Sequence, residues 1–222
     1  MKDFEVIGFD IDGTLYPAWR LNIRVLPYVI RHLPFFLHYR KVRKILHRTA
    51  PCPDLYEYQA RLLALEMNIT VADARELLRV YIYDGLKPFF EKIRPFSHVA
   101  ETIRAFKAAG YKIVLLSDFP PEQKGAMWGI PGSCDMMLGT EQIGALKPSK
   151  YPFGIMAMAL DVAPSKILYV GNSIKYDIKG ARNAGLSTAY LLPWWKRLLH
   201  IRCPLADISF GTYRQLQKIV LE

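Results

Sequence analysis

Cysteine is scarce in this chain: Cys52, Cys134 and Cys203 are odd in number, far apart and in no metal-type spacing. Neither a disulfide framework nor a zinc site is therefore suggested, and a reducing cytoplasmic setting fits best. Long apolar runs are also missing. The most membrane-like window, residues 21–39, carries Arg24, Arg31, His32 and His38, so no transmembrane segment is expected. Met1-Lys2-Asp3 leads into apolar sequence without a basic n-region, an apolar h-region or a cleavage site, which argues against export. There is no internal repeat and no low-complexity linker. Acidic residues are absent from residues 19–49, where eight Lys and Arg stand (Arg20, Arg24, Arg31, Arg40, Lys41, Arg43, Lys44 and Arg48). Most of the net charge of +10 thus sits on one segment, whose partner, if it has one, is anionic.

What is present is a 51% apolar chain of 222 residues, enough for one sizeable core and a smaller appended unit. Residues 5–9 read as a strand. The following stretch to about residue 94 reads as consecutive helices. Pro34 opens one with Phe35, Tyr39, Val42, Ile45 and Leu46 on a single face, and Ala50-Pro51-Cys52-Pro53 ends it. Asp54 with Glu57 forms a capping-box pattern before Leu55, Tyr58, Leu62 and Leu65, and Thr70 caps a helix bearing Ala74, Leu77, Leu78 and Tyr81. After Pro95 the pattern alternates: helix to Gly110, strand 112–116, helix 155–160, strand 167–170, helix 178–184 closed by Gly185, strand 188–192. Strands separated by helices call for a parallel sheet covered on both faces. The expected architecture is α/β, with residues 1–14 and 95–222 as a parallel-sheet core and residues 15–94 as an inserted helical unit.

The chemistry-bearing residues fall at the carboxyl ends of these strands, where open parallel sheets bind ligands. Asp10 and Asp12 follow the strand Val6-Ile7-Gly8-Phe9 and precede Gly13-Thr14. Two carboxylates in one buried space demand a cation or a shared proton, and Mg²⁺ is the simplest partner. A carboxylate there can attack phosphorus, while a second protonates the leaving alcohol and then deprotonates water. Taken alone, an Asp-x-Asp pair also suits a turn or a structural ion. Ser117-Asp118 supplies a hydroxyl and a backbone amide for phosphate oxygens, and Lys147, before Pro148, a compact positive charge. Read singly, these are a turn and a solvated loop lysine. Asn172 and Asp177 place oxygens in the loop after residue 170, suiting a hard cation, or capping a helix.

In this order, the four elements resemble the haloacid dehalogenase-like hydrolase superfamily over residues 4–15 and about 95–222, with the helical insertion where that family's first type of cap lies. The resemblance implies a Rossmann-like core and a Mg²⁺-dependent enzyme with Asp10 as nucleophile and Asp12 as acid and base. It further implies Thr14, Ser117 and Asp118 around the phosphoryl group and Lys147 balancing charge. Asp10, the Asp12 carbonyl and the loop of Asn172 and Asp177 would hold the metal. Many members have Asp where this chain has Asn172, so either Asn172 or Asp177 is the direct ligand. Asp12 favours phosphatase over dehalogenase chemistry, because a halide departs without a proton. A phosphomutase is the remaining relative. The expected substrate is a small phosphorylated anion.

The basic segment has three readings. It is first a solvated helical face, next a roof that attracts an anionic substrate, and last a membrane-surface contact to which Trp194-Trp195-Lys196-Arg197 adds aromatics and cations. In the last reading the protein is a lipid-binding one with weak or no catalysis. Nucleic acid is not expected, since no binding motif appears. His32, His38, His47 and His98 lack metal spacing and read as packing or surface residues, and Trp194-Trp195 as packing.

Overall fold

The computed structural model describes residues 4–222, so the reading of Met1-Lys2-Asp3 lies outside the described residues. Among these, six strands form one parallel sheet: β1 (Val6–Phe9), β2 (Lys112–Ser117), β3 (Met136–Gly139), β4 (Ile167–Gly171), β5 (Ser187–Leu191) and β6 (Ile208–Phe210). Their order is β3-β2-β1-β4-β5-β6. β1 lies inside the sheet, with Val6 opposite both Lys112 and Ile167, and all four of its residues are buried. An uninterrupted apolar strand is what burial on both faces requires. The chain builds outward from β1 to β3 and then returns to β4 on the other side of β1. The crevice of this reversal opens beyond the ends of β1 and β4.

Alternating side chains divide the core in two. Ile7, Phe9, Ile113 and Leu115 face a cluster with Ile103 and Phe106 of α6 (Val99–Ala108) and Leu216 of α11 (Tyr213–Leu221). Val6, Val114, Leu116 and Tyr169 face Phe153 and Met156 of α8 (Lys150–Ala159) and Ala181 of α9 (Lys179–Asn183). The expected α/β sheet with helices on both faces is what the chain forms. β3 and β6 were not expected: Met136-Met137-Leu138-Gly139 lacks β-branched residues, and β6 is three residues long.

Between β1 and α6 run α1 (Ala18–Arg31), α2 (Leu33–Leu46), α3 (Leu55–Met67), α4 (Val71–Leu78) and α5 (Lys87–Phe90). α7 (Thr140–Ile143) and α10 (Trp194–Leu198) are short pieces at sheet ends. The expected caps are present: Asp54 accepts from the Glu57 amide at 2.8 Å and Thr70 from that of Asp73 at 3.1 Å. The inserted helices share a second apolar cluster, including Phe35, Val42, Leu46, Leu55, Leu63, Ala74 and Leu78, to which Leu146 of the sheet unit adds. Two expected core positions are corrected: Ile45 is 46% and Leu65 81% exposed. α3 packs against both α2 and α4, and the close approach selects Gln59, Ala60, Leu63 and Ala64 instead. No helix among the described residues is long and apolar enough to cross a membrane.

Candidate active site

β1 delivers Asp10 at its end, and the turn through Gly13 brings Asp12 and Thr14 back over the same point. Gly13 has φ +86°, and a Cβ there would lie 2.2 Å from the Asn172 side chain. Glycine alone allows this approach. Lys147, from the loop before α8, donates to Asp10 Oδ1 at 2.6 Å and to Asp177 Oδ1 at 2.8 Å. Thr14 Oγ1 donates to Asp10 Oδ2 at 2.6 Å and stands 3.3 Å from Asn172 Oδ1. Asp177 Oδ2 accepts the main-chain N–H of Ser173 at 2.9 Å and of Asn172 at 3.2 Å, which closes the loop after β4.

Asp10, Lys147 and Asp177 are all buried. Two carboxylates share one ammonium. Burial first, and then the neighbouring Asp177, push the Asp10 carboxyl up to about 7 from its ordinary 3.8, against the pull of Lys147. Burial works against the charge of Lys147, but Asp10 and Asp177 outweigh it and hold the ammonium well above its usual range.

Asp12 has a separate partner. The Lys124 ammonium contacts both of its oxygens, at 2.5 and 2.6 Å, the Tyr16 hydroxyl donates to Oδ1, and Ser117 Oγ donates to Oδ2 at 3.1 Å. Burial would raise this carboxyl, but the Lys124 charge and the three donors hold it below its ordinary value. Lys124 is itself buried, 4.0 Å above the centre of the Phe90 ring. Sequence reading missed it, because Pro120-Pro121-Glu122-Gln123-Lys124 has the composition of an exposed turn.

Thr14 and Ser117 are fully buried with their hydroxyls turned to Asp10 and Asp12. The Asp118 side chain accepts from Thr140 Oγ1 at 2.8 Å and from the main-chain N–H of Lys147 at 3.2 Å. It braces the loop that carries the lysine.

Above these groups lies a cavity of about 370 Å³. Asp10, Asp12, Asp118, Lys147, Asn172 and Asp177 line its floor, and Leu21, Val25, Tyr39, Arg43 and His47 of α1, α2 and the segment after them line the opposite wall. Tyr39 is buried, and its hydroxyl has no hydrogen-bond partner among the described residues. Arg43 pairs with the buried Glu141 and lies 4.8 Å over the Phe119 ring. His47, expected only to pack, hydrogen-bonds through Nδ1 to the Lys147 carbonyl at 2.6 Å. Burial holds the imidazole below its ordinary range, and since a carbonyl oxygen can only accept, Nδ1–H is the donor. Helical periodicity places Tyr39 and Arg43 on a buried face but carries no sign that the face is a cavity wall.

The donor set suits a hard divalent cation. With two carboxylates on one ammonium, the floor is short of positive charge. The available donors are oxygens: the Asp10 carboxylate, the Asp12 carbonyl and the Asn172 amide oxygen beside Thr14. Asp177 accepts from Lys147 and from two main-chain N–H groups, and so also shapes the loop. No group of three His, Cys, Asp or Glu converges among the described residues, so bound water would complete the shell.

A family model described as haloacid dehalogenase-like hydrolase matches residues 4–185. The chain is 28% identical to a phosphoglycolate phosphatase of Haemophilus influenzae, covering 98% of each chain. It is also 28% identical to an (S)-2-haloacid dehalogenase of Pseudomonas sp., covering 83% of this chain and 81% of that one. In fold it matches a HAD phosphatase of Thermococcus onnurineus with TM-score 0.67, 20% identity and 98% of both chains covered.

Proposed function

Because the chain belongs to the haloacid dehalogenase-like hydrolases, we propose that it cleaves a small phosphate monoester through an aspartyl-phosphate formed on Asp10. The observation that carries this reading is Asp12: a second carboxylate on the same cavity floor, held by three donors, where a departing alkoxide would need a proton. The similarity to a phosphoglycolate phosphatase over nearly the whole chain supports it.

An Asp10 oxygen attacks phosphorus and the bond to the ester oxygen breaks, Asp12 in its acid form giving that oxygen a proton. Asp12, ionised by that transfer and stabilised as the carboxylate by Lys124, then takes a proton from the water that cleaves the acyl phosphate, which restores its acid form. Lys147 offsets charge on Asp10 and, with Asp118 behind its loop, stays in line. Mg²⁺, held by Asp10, the Asp12 carbonyl and Asn172, would keep Asp10 ionised and neutralise phosphoryl oxygens. Residues 15–94 act as a cap whose wall reads the rest of the substrate. There the Tyr39 hydroxyl, without a partner among the described residues, offers a hydrogen bond, and Arg43 a guanidinium whose charge Glu141 already offsets in part, which suits a small phosphorylated acid or sugar. Three free cysteines fit a cytoplasmic enzyme.

The test is phosphate release from a panel of phosphorylated metabolites with Mg²⁺, alongside halide release from 2-haloacids. Phosphate release by the wild type, lost in Asp10→Asn, is the expected result. Equal release by the variant would remove Asp10 as nucleophile, and halide release alone would make the chain a dehalogenase.

A further inference from the structure

α1 presents apolar residues to water on purely geometric grounds. Trp19, Ile23, Leu26 and Ile30 are 60%, 62%, 53% and 61% exposed, and at about 100° per residue they fall within an arc of about 60°. The opposite side of the helix carries the half-buried Leu21, Val25 and Tyr28, which face the protein, so the outer stripe is surplus to folding. Arg24 and Arg31 flank it and are exposed.

The start of α10 stands next to the start of α1. Trp19 and Trp194 line one groove of about 280 Å³, together with Pro17, Pro193 and Arg197. Trp194, Leu198 and Leu199 are 70%, 69% and 62% exposed, which corrects the expectation that the tryptophan pair packs inside. Asn172 lines this groove and the catalytic cavity alike, so the two share a wall. Residues 19–49 and 194–202 hold eleven of the thirty Lys and Arg and none of the twenty acidic residues, so the rest of the chain is close to neutral.

We propose that this face, α1 with α10, docks on the surface of an anionic lipid bilayer. Isolated exposed leucines need no account, but a continuous apolar stripe with two exposed tryptophans and a basic margin has the composition of an interfacial contact. The helices lie on the membrane and do not cross it. A second copy of the chain is the poorer occupant, because an isologous contact through this face would set the same acid-free basic segments against each other. The basic residues act over the range of a negative surface potential, and the apolar stripe anchors the contact once made.

Co-sedimentation tests this with phosphatidylcholine vesicles, with and without phosphatidylserine, at low and high salt. Binding only when phosphatidylserine is present, weakening with salt, is expected. The triple variant Ile23→Ser, Ile30→Ser, Trp194→Ser should lose affinity by about tenfold or more, with an unchanged circular-dichroism melt since all three are exposed. Arg24→Gln with Arg31→Gln should reduce the preference for phosphatidylserine while keeping the fold. Binding to neither vesicle, or equal binding to both, overturns the proposal. So does a lipid-free dimer in sedimentation velocity that the triple variant converts to monomer.

Discussion

Replacing Lys147 with Met leaves Asp10 and Asp177 facing each other in a buried space without the ammonium that now touches both. Breaking a buried ion pair on one side costs about 3–5 kcal/mol, because the remaining charge is stranded. With a urea m-value of about 2 kcal/mol per M, that shifts the unfolding midpoint down by about 2 M. The loss should depend on pH in a fixed direction. In the wild type the Asp10 carboxyl is raised from 3.8 to about 7, so the folded state binds the extra proton and stability falls as pH rises across that window. Without Lys147 the window extends further upward, because the one opposing charge is gone. The destabilisation is therefore larger at pH 8 than at pH 5, and Asp10 becomes protonated and non-nucleophilic at neutral pH. Urea titrations in EDTA, so that no divalent ion substitutes, measure the first effect. Phosphate release, expected to drop by about a hundredfold or more, measures the second. Adding Asp10→Asn to Lys147→Met should restore part of the lost stability by removing one of the two stranded charges. A Lys147→Met midpoint equal to wild type at pH 8, or a double variant no more stable than the single, refutes the electrostatic account.

Tyr39→Phe removes a buried hydroxyl that has no partner among the described residues, so the free protein should gain about 1 kcal/mol in urea unfolding. The KM for the true substrate should rise at the same time, and a fall in stability would mean that the hydroxyl is satisfied. Lys124→Met takes away the charge that lowers the Asp12 carboxyl, so Asp12 rises toward its ordinary value or above. The stability that depressed carboxyl contributes above its unfolded pKa of about 4 is then lost at neutral pH. The limb of the pH–rate profile for base action should move up in pH, and an unmoved limb would detach Lys124 from Asp12. Gly171→Ala places a Cβ 2.3 Å from that of Asp177, and the resulting overpacking should cost about 1–3 kcal/mol and misplace the loop after β4. A thermal melt and an activity assay on that variant check both consequences.

How much was readable in advance differs between the sheet unit and the inserted helices. Strands flanked by turn residues could be located because burial on both faces writes itself as short apolar runs, as in Val6-Ile7-Gly8-Phe9 and Ile167-Leu168-Tyr169-Val170. Asp10, Asp12, Ser117, Asn172 and Asp177 could be singled out by their position after expected strands, and Lys147 only by its place in the series of motifs. For Thr14 and Ser117 the hydroxyls turned out to face carboxylates. The helices were recognised as helices, yet their inner faces were partly misjudged. Ile45 and Leu65 fit an apolar stripe by spacing, whereas Gln59 and Ala64 are what the packing between helices buries. Periodicity reports which faces are apolar, not which neighbour arrives to cover them.

The order of residues alone settled that this is a parallel α/β chain with two carboxylates at the end of its first strand, because strand periodicity and turn chemistry are local. The partners of those carboxylates were decided only in three dimensions. Lys124 reaches Asp12 across 112 positions and Lys147 reaches Asp10 across 137. The same holds for the surface, where Trp19 and Trp194 meet at one groove and stay in water. Charge compensation and exposure depend on distance through space, and distance through space is what folding sets.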